Sequence, residues 1–222
     1  DPDRVADASF AWLDRHLRGD EDAPEVAGLD LVDQEGTRWT APAWPVELAE
    51  PITASGSGPL DLAADGAVAA DIPPTDDLLA GVVASIIPGP GPAGPTTLEV
   101  PIEVGETDGL VLGAPELTLT YSGTVDEGPE PTRIFAQLVD DELDVVVGTQ
   151  VTPIEVVLDG ETHTATVDLE VIAQRVRPGQ TLTLQLMATT VAYATPRLGG
   201  RVAVQSVEVS LPVAEADALA EG

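Results

Sequence analysis

The sequence predicts an all-β protein, an antiparallel β-sandwich of jelly-roll type, preceded by a single α-helix. Three observations carry that expectation. From Leu29 onward apolar residues recur at every second position, the period of a strand with one face buried. These stretches are short and separated by Gly, Pro and Asp, with no helices alternating between them, which argues against a parallel α/β sheet. Ahead of them, ASFAWLDRHLRG (residues 8–19) carries the one clear helical period.

Asp1 is placed to cap the helix, Pro2 fits its first turn, and Gly19 stands where a left-handed C-cap belongs. Val5, Ala8 and Trp12, with Phe10, Leu13 and Leu17 one row across, make a wide apolar face opposite Asp3, Asp7, Asp14, Arg15 and Arg18. A face of that size needs a partner. LDLVDQEGTRWT then reads as a hairpin turning at Glu35-Gly36, and LDLAADGAVAA as another turning at Asp65-Gly66. Between them ASGSGP reads as a flexible loop.

Residues 73–96 are too rich in Pro and Gly for a sheet and are expected to form a long surface loop. Asp76 to Ile86 would make a short helix, and PGPGPAGP a semi-rigid spacer. After it TLEVPIEV sets Leu98, Val100, Ile102 and Val104 on one face. ELTLTYSG does so with Leu117, Leu119 and Tyr121, THTATVDL with Ala165, Val167 and Leu169, and TLTLQLMA with Leu182, Leu184 and Leu186. TRIFAQLV, DVVVGTQV and RVAVQSVEVSLP are apolar on both faces in part, as strands in the middle of a sandwich are.

Composition excludes some functions. Of 222 residues 39 are acidic and nine basic, all nine of them Arg, for a net charge of −30. That surface repels phosphate backbones and anionic lipid headgroups, so neither nucleic acid nor a membrane is an expected partner. There is no Cys, which removes disulfides, thiolate metal sites and Cys nucleophiles.

Candidate chemistry is sparse. Neither Ser55 nor Ser57 has the Gly two residues before it that a nucleophile elbow carries. His16 sits in the last turn of the helix, where a cation favours the dipole, and His163 opens a strand in an edge or capping role. Asp140, Asp141, Glu142 and Asp144 cluster at a hairpin and are read as a solvated turn in preference to a Ca²⁺ site. Trp39 and Trp44 in TRWTAPAWP are expected to pack, with a sugar-stacking platform as the alternative use.

In order, the segments LDRHLRG, DQEGTRW followed by AWP, GPLDL, GAPELTLTYSG, RIFAQLVDDELDVVVGTQVTPIEVVLDGETHTATVDLE and RPGQTLTLQLMATTVAY resemble the C-terminal part of X-Pro dipeptidyl-peptidase and cocaine-esterase-type α/β-hydrolases. The resemblance implies that residues 1–19 are the last helix of a preceding hydrolase domain. Residues 20–213 would form a jelly roll of the galactose-binding-domain-like kind, and 214–222 a tail. It implies a non-catalytic role, packing on the hydrolase domain and shaping substrate access or oligomerisation, within a serine peptidase or esterase. That family's Ser, acid and His all precede the helix, so no catalytic, cofactor-binding or metal-ligating residue is carried over and no cofactor is expected. The expected partners are that hydrolase domain and a homo-oligomer, and the expected location of the parent protein is extracytoplasmic.

Overall fold

The apolar alternation becomes two antiparallel sheets whose inner faces share one core. The structure, a computed structural model, describes residues 2–62, 87–126, 131–193 and 199–222. The expected cap at Asp1, the hairpin at Asp65-Gly66 and the helix at 76–86 lie outside the described residues. Contacts divide the chain into two compact units, Leu48–Ala214 and a smaller one of Asp1–Glu47 with Glu215–Gly222. Residues 20–47 and the tail therefore group with the helix rather than with the sandwich.

In the smaller unit, α1 (Pro2–Leu13) runs into a π-helical turn (Asp14–Arg18) that stops at Gly19, whose φ of 73° is the left-handed cap read from the sequence. Strands β1 (Leu29–Val32) and β2 (Arg38–Ala41) pair antiparallel, with Leu31 opposite Trp39, around the expected turn. Asp33 closes that turn: its Oδ1 accepts the amides of Glu35 and Thr37, both at 2.9 Å, while Gly36 takes a φ of 87°. The last strand, β14 (Ala220–Glu221), adds to β2, so residues read as a tail complete a sheet. Asp30 binds Arg38 through two hydrogen bonds of 2.9 and 3.0 Å and also pairs with Arg4 of α1; the Arg38 bonds hold its carboxyl below the usual carboxylate range.

The larger unit is the sandwich. One sheet has the order β10 (Asp159–Asp168), β6 (Glu116–Thr124), β13 (Arg201–Leu211), β3 (Ile52–Asp61). The other runs β4 (Thr97–Glu103), β12 (Thr181–Met187), β7 (Pro131–Asp140), β8 (Val145–Val146), with β9 (Thr152–Val157) also on β7. A two-stranded ribbon, β5 (Gly109–Gly113) with β11 (Ile172–Val176), completes it. Leu117, Leu119 and Tyr121 of β6 meet Val100, Ile102, Leu182, Leu184 and Leu186 in one core, all nearly inaccessible to water. Each such side chain contributes about 1.5–3 kcal/mol of burial. The Tyr121 hydroxyl is satisfied there by the Val157 amide at 3.1 Å.

Four expectations are corrected. ASGSGP is part of β3, not a loop: Gly56 and Gly58 face the core, where a Cβ would stand 2.6 Å from Val100 Cγ2 and 2.7 Å from Leu98 Cδ1. Glycine here serves close approach between sheets rather than flexibility. RVAVQSVEVSLP is apolar on one face only. A bulge at Gln205–Ser206 shifts the parity, so that Val202 and Val204 before it and Val207, Val209 and Leu211 after it all point inward. DVVVGTQV is only two residues of strand, because the positive φ of Gly148 (61°) and Thr149 (56°) kinks the chain and ends the extended run. Finally, the first half of the Pro/Gly spacer is pinned to the sheet: Gly89 O accepts from Gln137 Nε2 at 3.0 Å and Gly91 N donates to Gln185 Oε1 at 2.7 Å.

Candidate functional site

The alternation that sends Leu117 and Leu119 inward sends hydroxyls outward. On the outer face of the β10-β6-β13-β3 sheet, Thr162, Thr164 and Thr166 lie opposite Ser122, Thr120 and Thr118. The hydroxyls of Thr118 and Thr166 are 3.2 Å apart, as are those of Thr120 and Thr164, and Gln205 Nε2 donates to both Ser122 and Thr162 at 3.3 Å. At one end of this face a groove of ≈ 400 Å³ is lined by Thr53, Ser55, Thr118 and Ser210 with the carboxylates of Glu116 and Glu208. At the other end Arg201 pairs with Asp61 at 2.5 Å and lowers its pKa. Sequence reasoning missed this face, although its signal was present in the residues between the core positions.

Ser55 and Ser57 sit on β3 and His163 on β10, the two edges of the sheet, so they form no nucleophile–base pair. The His163 ring faces Tyr121 at 5.8 Å, and its Nε2 lies 2.9 Å from Asp159 Oδ1. That bond, with the Glu161 amide, holds the Asp159 carboxyl below the ordinary range. The His16 and Trp12 rings lie 4.7 Å apart in the helical segment, tilted by 39°.

The acidic turn is not simply solvated. Asp140 is buried, and its carboxylate accepts four hydrogen bonds: Gln174 Nε2 at 2.8 Å, Gln180 Nε2 at 3.1 Å, and the amides of Glu142 and Leu143 at 3.1 and 3.2 Å. Among the described residues no group of three or more His, Asp or Glu side chains is placed to hold a metal ion.

Partial burial raises the pKa of neighbouring Asp141, against a 3.0 Å bond from Thr183 and with help from Asp140, Glu99 and Asp144. A raised folded pKa means that ionisation costs stability, so the deficit grows as pH rises through the carboxylate range and vanishes below it. Asp141→Asn, which keeps an acceptor for Thr183, is expected to raise Tm by one or two degrees at pH 7, about 0.5 kcal/mol after solvent screening. The gain should disappear at pH 3 in parallel thermal melts; a gain that persists there contradicts the electrostatic cause.

Trp39 donates from Nε1 to Asp33 Oδ2 at 2.9 Å, which fixes its ring within the hairpin, whereas Trp44 is half exposed. The apolar face of α1 and of the π-helical turn that follows it is open to water, with Phe10 65% and Leu17 75% exposed.

No protein-family model matches the sequence, and no curated protein matches it. Solved structures do. The chain is similar to an α-amino acid ester hydrolase at a TM-score of 0.65 and 14% identity, over 93% of this chain and 44% of that one. It has a fold found in part of a hydrolase. An aminopeptidase from a marine-sediment Thaumarchaeota archaeon is similar over 93% of this chain and 44% of its own (TM-score 0.59, 9% identity). A CocE/NonD family hydrolase from Staphylococcus aureus is similar over 95% of this chain and 45% of its own (TM-score 0.51, 12% identity). The likeness read from the sequence to cocaine-esterase-type hydrolases is met by this likeness of fold, and the all-β sandwich with one N-terminal helix is as expected. The chain spans less than half the length of each structure.

Proposed function

We propose that this chain is the non-catalytic C-terminal β-sandwich module of a larger serine hydrolase, an X-Pro dipeptidyl-peptidase or CocE-type esterase, which packs on the catalytic domain and shapes access to its active site. The observation that carries the reading is the unequal span: nearly all of this chain, but under half of each hydrolase, is shared. The open apolar face of the helical segment supports it, because Phe10 and Trp12 of α1 with Leu17 of the π-helical turn are the kind of surface another domain covers. The parent would cleave an ester or amide through an acyl-enzyme, using a triad and oxyanion hole supplied upstream of Asp1. An acidic, Cys-free chain suits an exported parent, and fractionation that finds the parent only in the cytosol would remove that part.

Assays with p-nitrophenyl esters and X-Pro anilides test the central claim. This chain alone is expected to turn over neither, while the polypeptide that includes the coding sequence upstream of Asp1 turns over at least one. Turnover by this chain, or upstream sequence without a nucleophile elbow, overturns the reading.

A further inference from the structure

The geometry points to an ion-latched arm: the helical segment of residues 2–18 is held on the β1-β2 hairpin at its tip, where Arg4 meets Asp30, and turns about Gly19 when that contact is lost. The inference goes beyond the proposed function and stands whichever partner covers the open face of the helix. Its first support is the side by which the helix is attached. Arg4, Ala8, Ala11 and Arg15, spaced four, three and four positions apart, are half-buried and form one stripe. Val5, Phe10, Trp12, Leu13 and Leu17 are all exposed. A surface helix ordinarily buries its apolar face against its own domain. This one turns two arginines and two alanines inward, so little apolar surface holds it and the charged contacts carry the attachment.

The second support is where those contacts fall. Arg15 Nη2 donates to Ala23 O at 2.7 Å, close to the end of the segment. Arg4 stands at the other end, roughly 22 Å from Gly19 along the helix axis at ~1.5 Å per residue. A contact at the tip opposes a swing with the full length of the arm, whereas one beside Gly19 has little leverage. Gly19 itself has a φ of 73°, and no atom lies within 4 Å of the place a Cβ would take, so the backbone has room to turn there.

The third support is the preparation of Asp30. Two bonds from Arg38 fix its carboxylate on the hairpin, and its side chain is only 17% exposed, so the acceptor is in place before the helix meets it. The Arg4 guanidinium is a planar donor suited to such an acceptor. Once freed, α1 has twelve residues, too few for a helix to be more than marginally stable alone in water. Release of the arm therefore reads out as loss of helical protection.

Hydrogen exchange of this chain, followed by mass spectrometry, is the test. The amides of residues 6–13 are expected to exchange about tenfold faster or more in R4A and in D30A than in the unaltered chain, while those of residues 48–214 keep their rates. R38A leaves Asp30 available to Arg4 and should speed exchange in α1 by about threefold or less. Should D30A unravel the hairpin, R4A, which leaves Asp30 and Arg38 in place, decides alone. An α1 that exchanges freely in the unaltered chain, or as slowly in R4A as in it, overturns the proposal. So does an α1 that stays protected in a folded D30A variant, or an R38A effect on α1 as large as that of R4A.

Discussion

Asp140→Ala is expected to destabilise the sandwich by about 3 kcal/mol, because the buried carboxylate is the common acceptor for four donors, two of them on the buried side chains of Gln174 and Gln180. Gln174 and Gln180, themselves buried, would lose their Nε2 partner, and the amides of Glu142 and Leu143 would lose the cap that shapes the turn between β7 and β8. Guanidinium denaturation should show a lower midpoint with an unchanged slope. Asp140→Asn should cost less, because one oxygen still serves the turn amides and a flip of either Gln side chain can meet the new NH₂ group. Equal losses in the two variants would show that the shape of the turn, and not its acceptor, is what matters.

A second large loss is expected from Gly56→Val, of about 3 kcal/mol. The Cβ alone would fall 2.6 Å from Val100 Cγ2 and 3.2 Å from its Cγ1, at the point where β3 meets β4 in the core. Adding two further methyls there forces the sheets apart or Val100 out of its rotamer. Removing the obstacle should repair the damage: in the G56V/V100A double variant much of the loss is recovered, a coupling that denaturation of all four proteins of the cycle measures. Additive losses would place the strain elsewhere.

Most of the fold was legible because burial on one side writes a period of two directly into the chain, as in β4, β6 and β12, where alternate Val, Ile and Leu residues are buried. Where the period itself changes, it misleads. The β13 bulge moves the inward set from even to odd positions, and without the structure that reads as a strand apolar on both faces. ASGSGP misled for a different reason, since a glycine required by a close neighbour looks the same as one required by a flexible loop. Asp140 was legible as a turn residue but not as a buried one, because its Gln partners are 34 and 40 positions away in the chain. The outer hydroxyl face was overlooked because attention to apolar positions passes over what lies between them.

Leu48 and Ala214 form an antiparallel bridge, and the Ala49 amide donates to Val213 O at 2.8 Å, so the chain enters and leaves the sandwich side by side. A body whose two ends meet can be spliced into a surface turn of an unrelated host without stretching either. Residues 48–214 thus have the makings of a transplantable cassette, and the same adjacency means that lengthening either connecting strand leaves the β-core untouched.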